Sequence, residues 1–188
     1  MKKSMTLFVL LLLSFRLFAP AKAISDFYIL EGAPIRIPES ELRESTFWVF
    51  SDSIGYYESH NIWDTVNTLG YVGKYQMGLA ARIETGYGNI KTSEFIIDPS
   101  IWPESEQDIA FSRYVRLNEI RLEDVIFKYN DTEFDSILIT KSGIIAAVHL
   151  AGFDNVRKYF ERNGEYNPKD IYGTRLNDYL VRFKGYKF

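Results

Sequence analysis

The 188-residue chain contains no cysteine. That excludes disulfides, thiolate metal sites and a thiol nucleophile, and an exported form must rely on its hydrophobic core alone. Histidine is scarce, with only His60 and His149. They lie far apart in sequence and belong to no short-range ligand pattern, so no metal centre is expected. No glycine-rich phosphate loop follows a strand-like segment, and no cofactor is expected. Internal repeats and low-complexity stretches are missing. Basic residues are outnumbered, 22 Lys and Arg against 25 Asp and Glu, for a net charge of −3. Such a balance makes nucleic acid or an anionic membrane surface a poor partner.

The first residues have a distinct pattern. Lys2 and Lys3 precede an almost wholly apolar run, Leu7–Leu13, and Ala21-Lys22-Ala23 forms a small-x-small site before Ile24. This predicts a cleavable secretory signal over 1–23. An uncleaved anchor is the alternative, but Arg16 interrupts the run well short of the about 20 residues a membrane helix needs. No Cys follows the site, which excludes a lipoprotein anchor. Without Lys2, Lys3, Arg16 and Lys22 the mature charge is about −7, the difference between 18 remaining basic residues and the 25 acidic ones. Residues 24–188 are expected to form one domain with room for a core. Export without disulfides suits a bacterial periplasm or secretion by a bacterium.

Residues 24–38 read as an irregular lead-in limited by Pro34 and Pro38. Leu42, Phe47, Phe50, Ile54 and Tyr57 form a rough helical stripe, which predicts a helix over 39–58. Glu39, Glu41 and Glu44 favour its N-terminus. Asn61, Asp64, Asn67, Gly70 and Gly73 predict a loop with short strands over 59–76. A short helix is expected at 77–85, ended by Gly86 and Gly88. Residues 89–100 read as irregular or extended. Pro103, Glu104 and Glu106 start a long helical region to Tyr129, broken near 117–122. Asn130-Asp131-Thr132 reads as a turn. Further helices are expected at 141–150, buried on most sides, at 154–162, and after Thr174 as cap. The fold class expected is mainly α (α+β), with a small β or extended patch after Glu58.

Glu58 closes the first helix and begins Glu58-Ser59-His60-Asn61. Desolvation disfavours the charged form of a carboxyl, and an acid that keeps its proton near neutral pH is what glycosidic cleavage needs. Tyr56, Tyr57, Ile62 and Trp63 are candidates for an apolar wall. On composition alone the favoured reading of Glu58 is a solvated acid at a helix end. Three blocks in order change this. Glu58-Ser59 is followed by Gly73-Lys74-Tyr75-Gln76-Met77-Gly78, and then by Ala147-Val148-His149-Leu150-Ala151-Gly152. The chain resembles the lysozyme-like superfamily, in particular lytic transglycosylases and phage-associated peptidoglycan-degrading enzymes. Asp170-Ile171-Tyr172-Gly173-Thr174 with Tyr179 is similar to the tail of some members. The resemblance spans roughly residues 40–186.

The resemblance implies a lysozyme-like fold in which Glu58 is the catalytic acid and then base, cutting between N-acetylmuramic acid and N-acetylglucosamine. It implies substrate-binding places for Ser59, Tyr75, Gln76, Met77 and His149. From the residues themselves, alternatives stay open. Gln76 contacts an acetamido group or satisfies its own turn. Ser59 orients Glu58 or is a polar helix end. His149 stands where the family usually has Tyr, as a hydrogen-bond donor to the glutamate or as a polar core residue. Leu150 replaces the family's Asn. Asp64 and Glu84 are candidates for a second carboxylate, more simply read as a turn residue and a surface acid. The lack of a compelling partner favours a transglycosylase over a muramidase. The expected partner is peptidoglycan glycan, in a small diffusing enzyme or one serving a secretion or envelope machine. The rival is a non-catalytic member that binds glycan or protein.

Overall fold

Phe47, Phe50 and Ile54 turn one face of the first helix into the core. The computed structural model describes residues 47–188. The expected signal at 1–23, the lead-in at 24–38, Leu42 and the Glu39, Glu41 and Glu44 group lie outside the described residues. Helix α1 covers Phe47–Ser59. Tyr57, expected on its buried stripe, is instead 52% exposed. Two consecutive left-handed residues, His60 (φ 58°) and Asn61 (φ 60°), stop the helix. The Asn61 N–H reaches back to the Gly55 carbonyl at 3.1 Å. Glu58 therefore lies in the last turn of a helix with a fixed end.

The β patch expected after Glu58 is reduced to isolated bridges, Val66 with Val72 and Val72 with Met77. Gly73–Gln76 loops out between the paired Val72 and Met77, with Gly73 at φ 80° and Gln76 at φ 47°. Helix α2, Leu79–Glu84, follows. The expectation of irregular chain at 89–100 is corrected: α3 covers Thr92–Ile97 and a 3-10 turn covers Pro99–Ile101. Only Phe95 of α3 is buried, while Ile96 and Ile97 face out. A helix so short, with one anchor, has no stripe to detect.

The long helical region divides into α4, Glu104–Arg121, and α5, Glu123–Tyr129, with the buried Leu122 at the break. The expected turn at Asn130–Thr132 is present at Asn130 and Asp131, and Thr132 already begins a strand. Strands β1, Thr132–Phe134, and β2, Ile137–Ile139, pair antiparallel, with Thr132 opposite Ile139. The turn is Asp135-Ser136, both left-handed (φ 51° and 60°), the geometry that matches strand twist in a two-residue hairpin loop.

Helix α6, Lys141–Ala151, is capped by Thr140, whose Oγ1 accepts the Gly143 N–H at 3.2 Å. Ser142–Val148 are all buried, as their small and apolar character predicts. Helices α7, Phe153–Glu161, and α8, Leu176–Arg182, complete the chain. Gly143 permits close packing on α8, because a Cβ there would lie 2.7 Å from the Leu180 carbonyl oxygen. Thr174 does not cap α8. Arg175 does, its N–H donating to the Asp178 carboxylate at 2.8 Å. Among the described residues the fold is mainly helical, eight α-helices and one two-stranded antiparallel sheet. None of these helices is long and apolar enough to cross a membrane.

Candidate active site

The fixed end of α1 delivers Glu58 to the wall of a cavity of about 500 Å³. The cavity is lined from four directions: Tyr57 and Glu58 of α1, the 67–76 loop, His149 and Leu150 of α6, and the 170–182 segment including α8. Tyr179 of α8 donates its hydroxyl to Glu58 Oε1 at 2.8 Å. Burial, followed by the nearby Glu58 charge, pushes the Tyr179 hydroxyl far above the ordinary tyrosine value. The phenol therefore stays protonated and remains a donor. His149 Nε2 lies 3.8 Å from the same oxygen, too long for a hydrogen bond. Its ring stands edge-on to Phe111 and Tyr114, with centroids at 5.5 and 5.7 Å.

Glu58, Gln76 and His149 thus line one cavity. Gln76 is buried, and its Nε2 donates to the Gly73 carbonyl at 2.8 Å. That bond satisfies its own turn, one of the two roles expected. Its Oε1 has no donor among the described residues. Met77 is buried and lines an adjoining cavity of about 430 Å³, which shares Tyr71, Gln76, His149 and Leu150 with the first. The two cavities together give a groove with Glu58 on one wall.

Ser59 and Tyr75 line neither cavity. Ser59 is buried and donates to the Lys74 carbonyl at 2.7 Å. It ties the end of α1 to the loop. Tyr75 is stacked on Phe111 at 4.1 Å with rings 5° from parallel, and its hydroxyl donates to Asp108 at 2.7 Å. Residues 72–77 are all buried, but Lys74 and Tyr75 pack toward α4 while Gln76 and Met77 reach the groove, so a contiguous motif does not place every member on it.

The loop is fastened from beneath. Gln107 of α4 accepts the Lys74 N–H at 2.7 Å and donates to the Trp63 and Trp102 carbonyls, each at 2.8 Å. Buried Lys74 places its ammonium 3.1 Å from Asp52, 3.1 Å from Glu104 and 3.3 Å from Asp108. Burial alone lowers this ammonium. The hydrogen bond to Asp52, with the charges of Asp108 and Glu104, outweighs burial and leaves it above the ordinary lysine value.

Of the four residues expected to wall Glu58, only Tyr57 lines its cavity; Tyr56, Ile62 and Trp63 do not. Leu69, Tyr71 and Tyr179 supply that role. Neither Asp64 nor Glu84 lines the Glu58 cavity. Asp64 is exposed in a turn, and Glu84 is paired with Arg121 at 2.9 Å. The second carboxylate on this cavity is Asp170, whose Oδ1 accepts the N–H groups of Tyr172 and Thr174 at 2.9 and 2.8 Å. Asp170 stands in the tail motif with Tyr179 but is given no role there, and Arg182 belongs to no motif. Tyr179, also in that motif, is buried yet reaches the cavity with its hydroxyl. Among the described residues no group of His, Asp and Glu is arranged to hold a metal ion. No family model, curated protein or solved structure matches the chain.

Proposed function

We propose that this chain is an exported lytic transglycosylase of lysozyme-like fold. It cuts the β-1,4 bond between N-acetylmuramic acid and N-acetylglucosamine in peptidoglycan. One observation carries the reading: Glu58 lines an elongated groove, hydrogen-bonded at 2.8 Å by the buried donor Tyr179 and faced by His149 at 3.8 Å. An oriented carboxyl on a groove with aromatic walls is suited to protonating a glycosidic oxygen. Tyr57, Tyr71 and Tyr172 offer faces on which sugars stack.

In this mechanism Glu58 gives its proton to the bridging oxygen. The muramyl acetamido group stabilises the developing cation. Glu58, now a carboxylate, takes the proton from the muramyl C6 hydroxyl, which closes the 1,6-anhydro ring. Tyr179 donates to Glu58 Oε1 throughout, so the other oxygen is left for proton transfer.

Asp170 supports a second reading. It lines the same cavity, and a second carboxylate that activates water turns the same cleft into a muramidase. Mass analysis of fragments released from purified sacculi separates the two. Anhydro-muropeptides that vanish in Glu58→Gln are expected. Reducing ends that vanish in Asp170→Asn mean hydrolysis. A wild-type protein that binds sacculi and releases nothing sinks the enzyme reading and leaves a glycan-binding protein.

A further inference from the structure

We infer that the Glu58 cavity contains an anionic subsite at Arg182, which takes a carboxylate carried by the muramyl residue of the substrate. This assignment rests on the peptidoglycan reading of the cleft and names the part of the glycan it recognises. Arg182 ends α8 and, among the described residues, is the only Lys or Arg lining this cavity. Its guanidinium lies 4.5 Å from the Tyr57 ring centroid and 5.9 Å from that of Tyr179. Both rings line the same cavity, and Tyr179 is the donor to Glu58. Stacking a planar guanidinium on aromatic faces restrains it while its N–H edge stays free. Among the described residues Arg182 makes no ion pair and its side chain donates no hydrogen bond. Arg121 and Arg157, by contrast, are each paired with an acid.

The chemistry of the glycan supplies a partner. N-acetylmuramic acid differs from N-acetylglucosamine by a lactyl ether that ends in a carboxyl. In a strand without stem peptides that carboxyl is free and charged. In a strand with stems it is an amide, and the negative charge moves to carboxylates of the peptide. Either way the charge is carried by the sugar whose bond is cut, and so it comes close to Glu58. The cavity already holds the Asp170 carboxylate in a chain of net charge −3. An anionic substrate entering there is repelled unless a cation receives it, and Arg182 is the cation among the described residues of the cavity. A chitin-type polymer of N-acetylglucosamine lacks the carboxylate, so Arg182 is a specificity device for muramyl glycan.

Calorimetric binding to the full chain carrying Glu58→Gln tests this without turnover. The ligands are three glycans of equal length: a neutral N-acetylglucosamine oligomer, an alternating muramyl oligomer with free lactyl carboxylates, and the same oligomer with stem peptides. A charged oligomer is expected to bind about tenfold tighter than the neutral one, the scale of one charge-assisted contact. Adding Arg182→Gln removes that preference and leaves the neutral affinity unchanged. Arg182→Lys, which keeps the charge without the fork, retains part of it. The tighter of the two charged ligands identifies lactyl or peptide carboxylate as the source. A preference that persists in Arg182→Gln, or equal affinity for neutral and charged oligomers, overturns the subsite. Failure to bind any oligomer overturns both the subsite and the cleft. A wild-type protein that leaves sacculi intact overturns the enzyme reading alone, because the affinity ratio still decides Arg182.

Discussion

Replacing Lys74 by Met tests what holds the groove together. The Lys74 stem crosses α1 at Gly55, where an added Cβ would lie 2.9 Å from Lys74 Cγ. Met preserves that unbranched stem and removes the ammonium. Three carboxylates from two helices, Asp52 of α1 and Glu104 and Asp108 of α4, then lose their common cation. Breaking a fully buried ion pair costs about 3–5 kcal/mol. Here Asp52 and Glu104 are 64% and 48% exposed at the side chain and can turn to water, whereas Asp108 is 25% exposed. Exposed pairs contribute little, so Asp108 carries most of the effect and the cost falls near about 3 kcal/mol. Urea unfolding reads it directly. With a slope of about 2 kcal/mol per molar, the midpoint drops by roughly 1.5 M at unchanged slope. The sign with pH is fixed by the raised folded-state value of Lys74. Its contribution is complete below the ordinary lysine value of 10.5 and is lost as pH rises through the higher folded value. Adding Asp108→Asn to Lys74→Met restores part of the loss, because one of the mutually repelling carboxylates is neutralised. A Lys74→Met protein as stable as the parent, at neutral pH and low salt, refutes the view that this cluster clamps the loop.

Two further substitutions test the loop and the acid. Gly73→Ala forces a Cβ to within 2.2 Å of Gln107 Oε1 at a φ of 80°. The strain and overpacking should cost about 3 kcal/mol, a fall of roughly 10 °C in Tm; an unchanged Tm refutes the close approach. Tyr179→Phe keeps the ring against Phe183, with centroids 5.1 Å apart, and removes the donor to Glu58. Turnover of sacculi should fall about tenfold, or about 1.4 kcal/mol, with KM and Tm little changed; unaltered turnover shows that Tyr179 only packs.

The elements legible in the sequence were those with a long stripe or a strong cap. Helix α6 is nearly continuous in small and apolar residues, and α4 begins where Pro103, Glu104 and Glu106 announce it. The elements that escaped were short and held by one contact. Helix α3 rests on Phe95, and the β1–β2 hairpin has strands of three residues and an Asp-Ser turn in place of the usual Asn-Gly. The site divides in the same way. Glu58, Gln76 and His149 stand in local motifs and do meet on one cavity. Tyr179 and Arg182 reach it because α8 packs across Gly143 of α6. No local pattern encodes that crossing.

The geometry around Glu58 also links stability to positioning. Ser59, next in sequence to Glu58, donates to the carbonyl of Lys74, and the N–H of Lys74 is held by Gln107. The end of α1 is therefore tied to the loop that bears Gln76 through one residue, and that residue is the one whose ammonium is clamped by α1 and α4. Among the described residues Glu58 itself has only Tyr179 as a close side-chain hydrogen-bond partner. Its backbone is fixed by the buried network below, while its carboxyl is aimed by one donor from α8. The two controls are physically separate. Loss of Lys74 should loosen the backbone of both walls together and lower substrate affinity along with stability. Loss of the Tyr179 hydroxyl should misdirect the proton alone. A protein in which Lys74→Met lowers stability yet leaves affinity intact would show that the wall keeps its shape through Gln107 without the charge cluster.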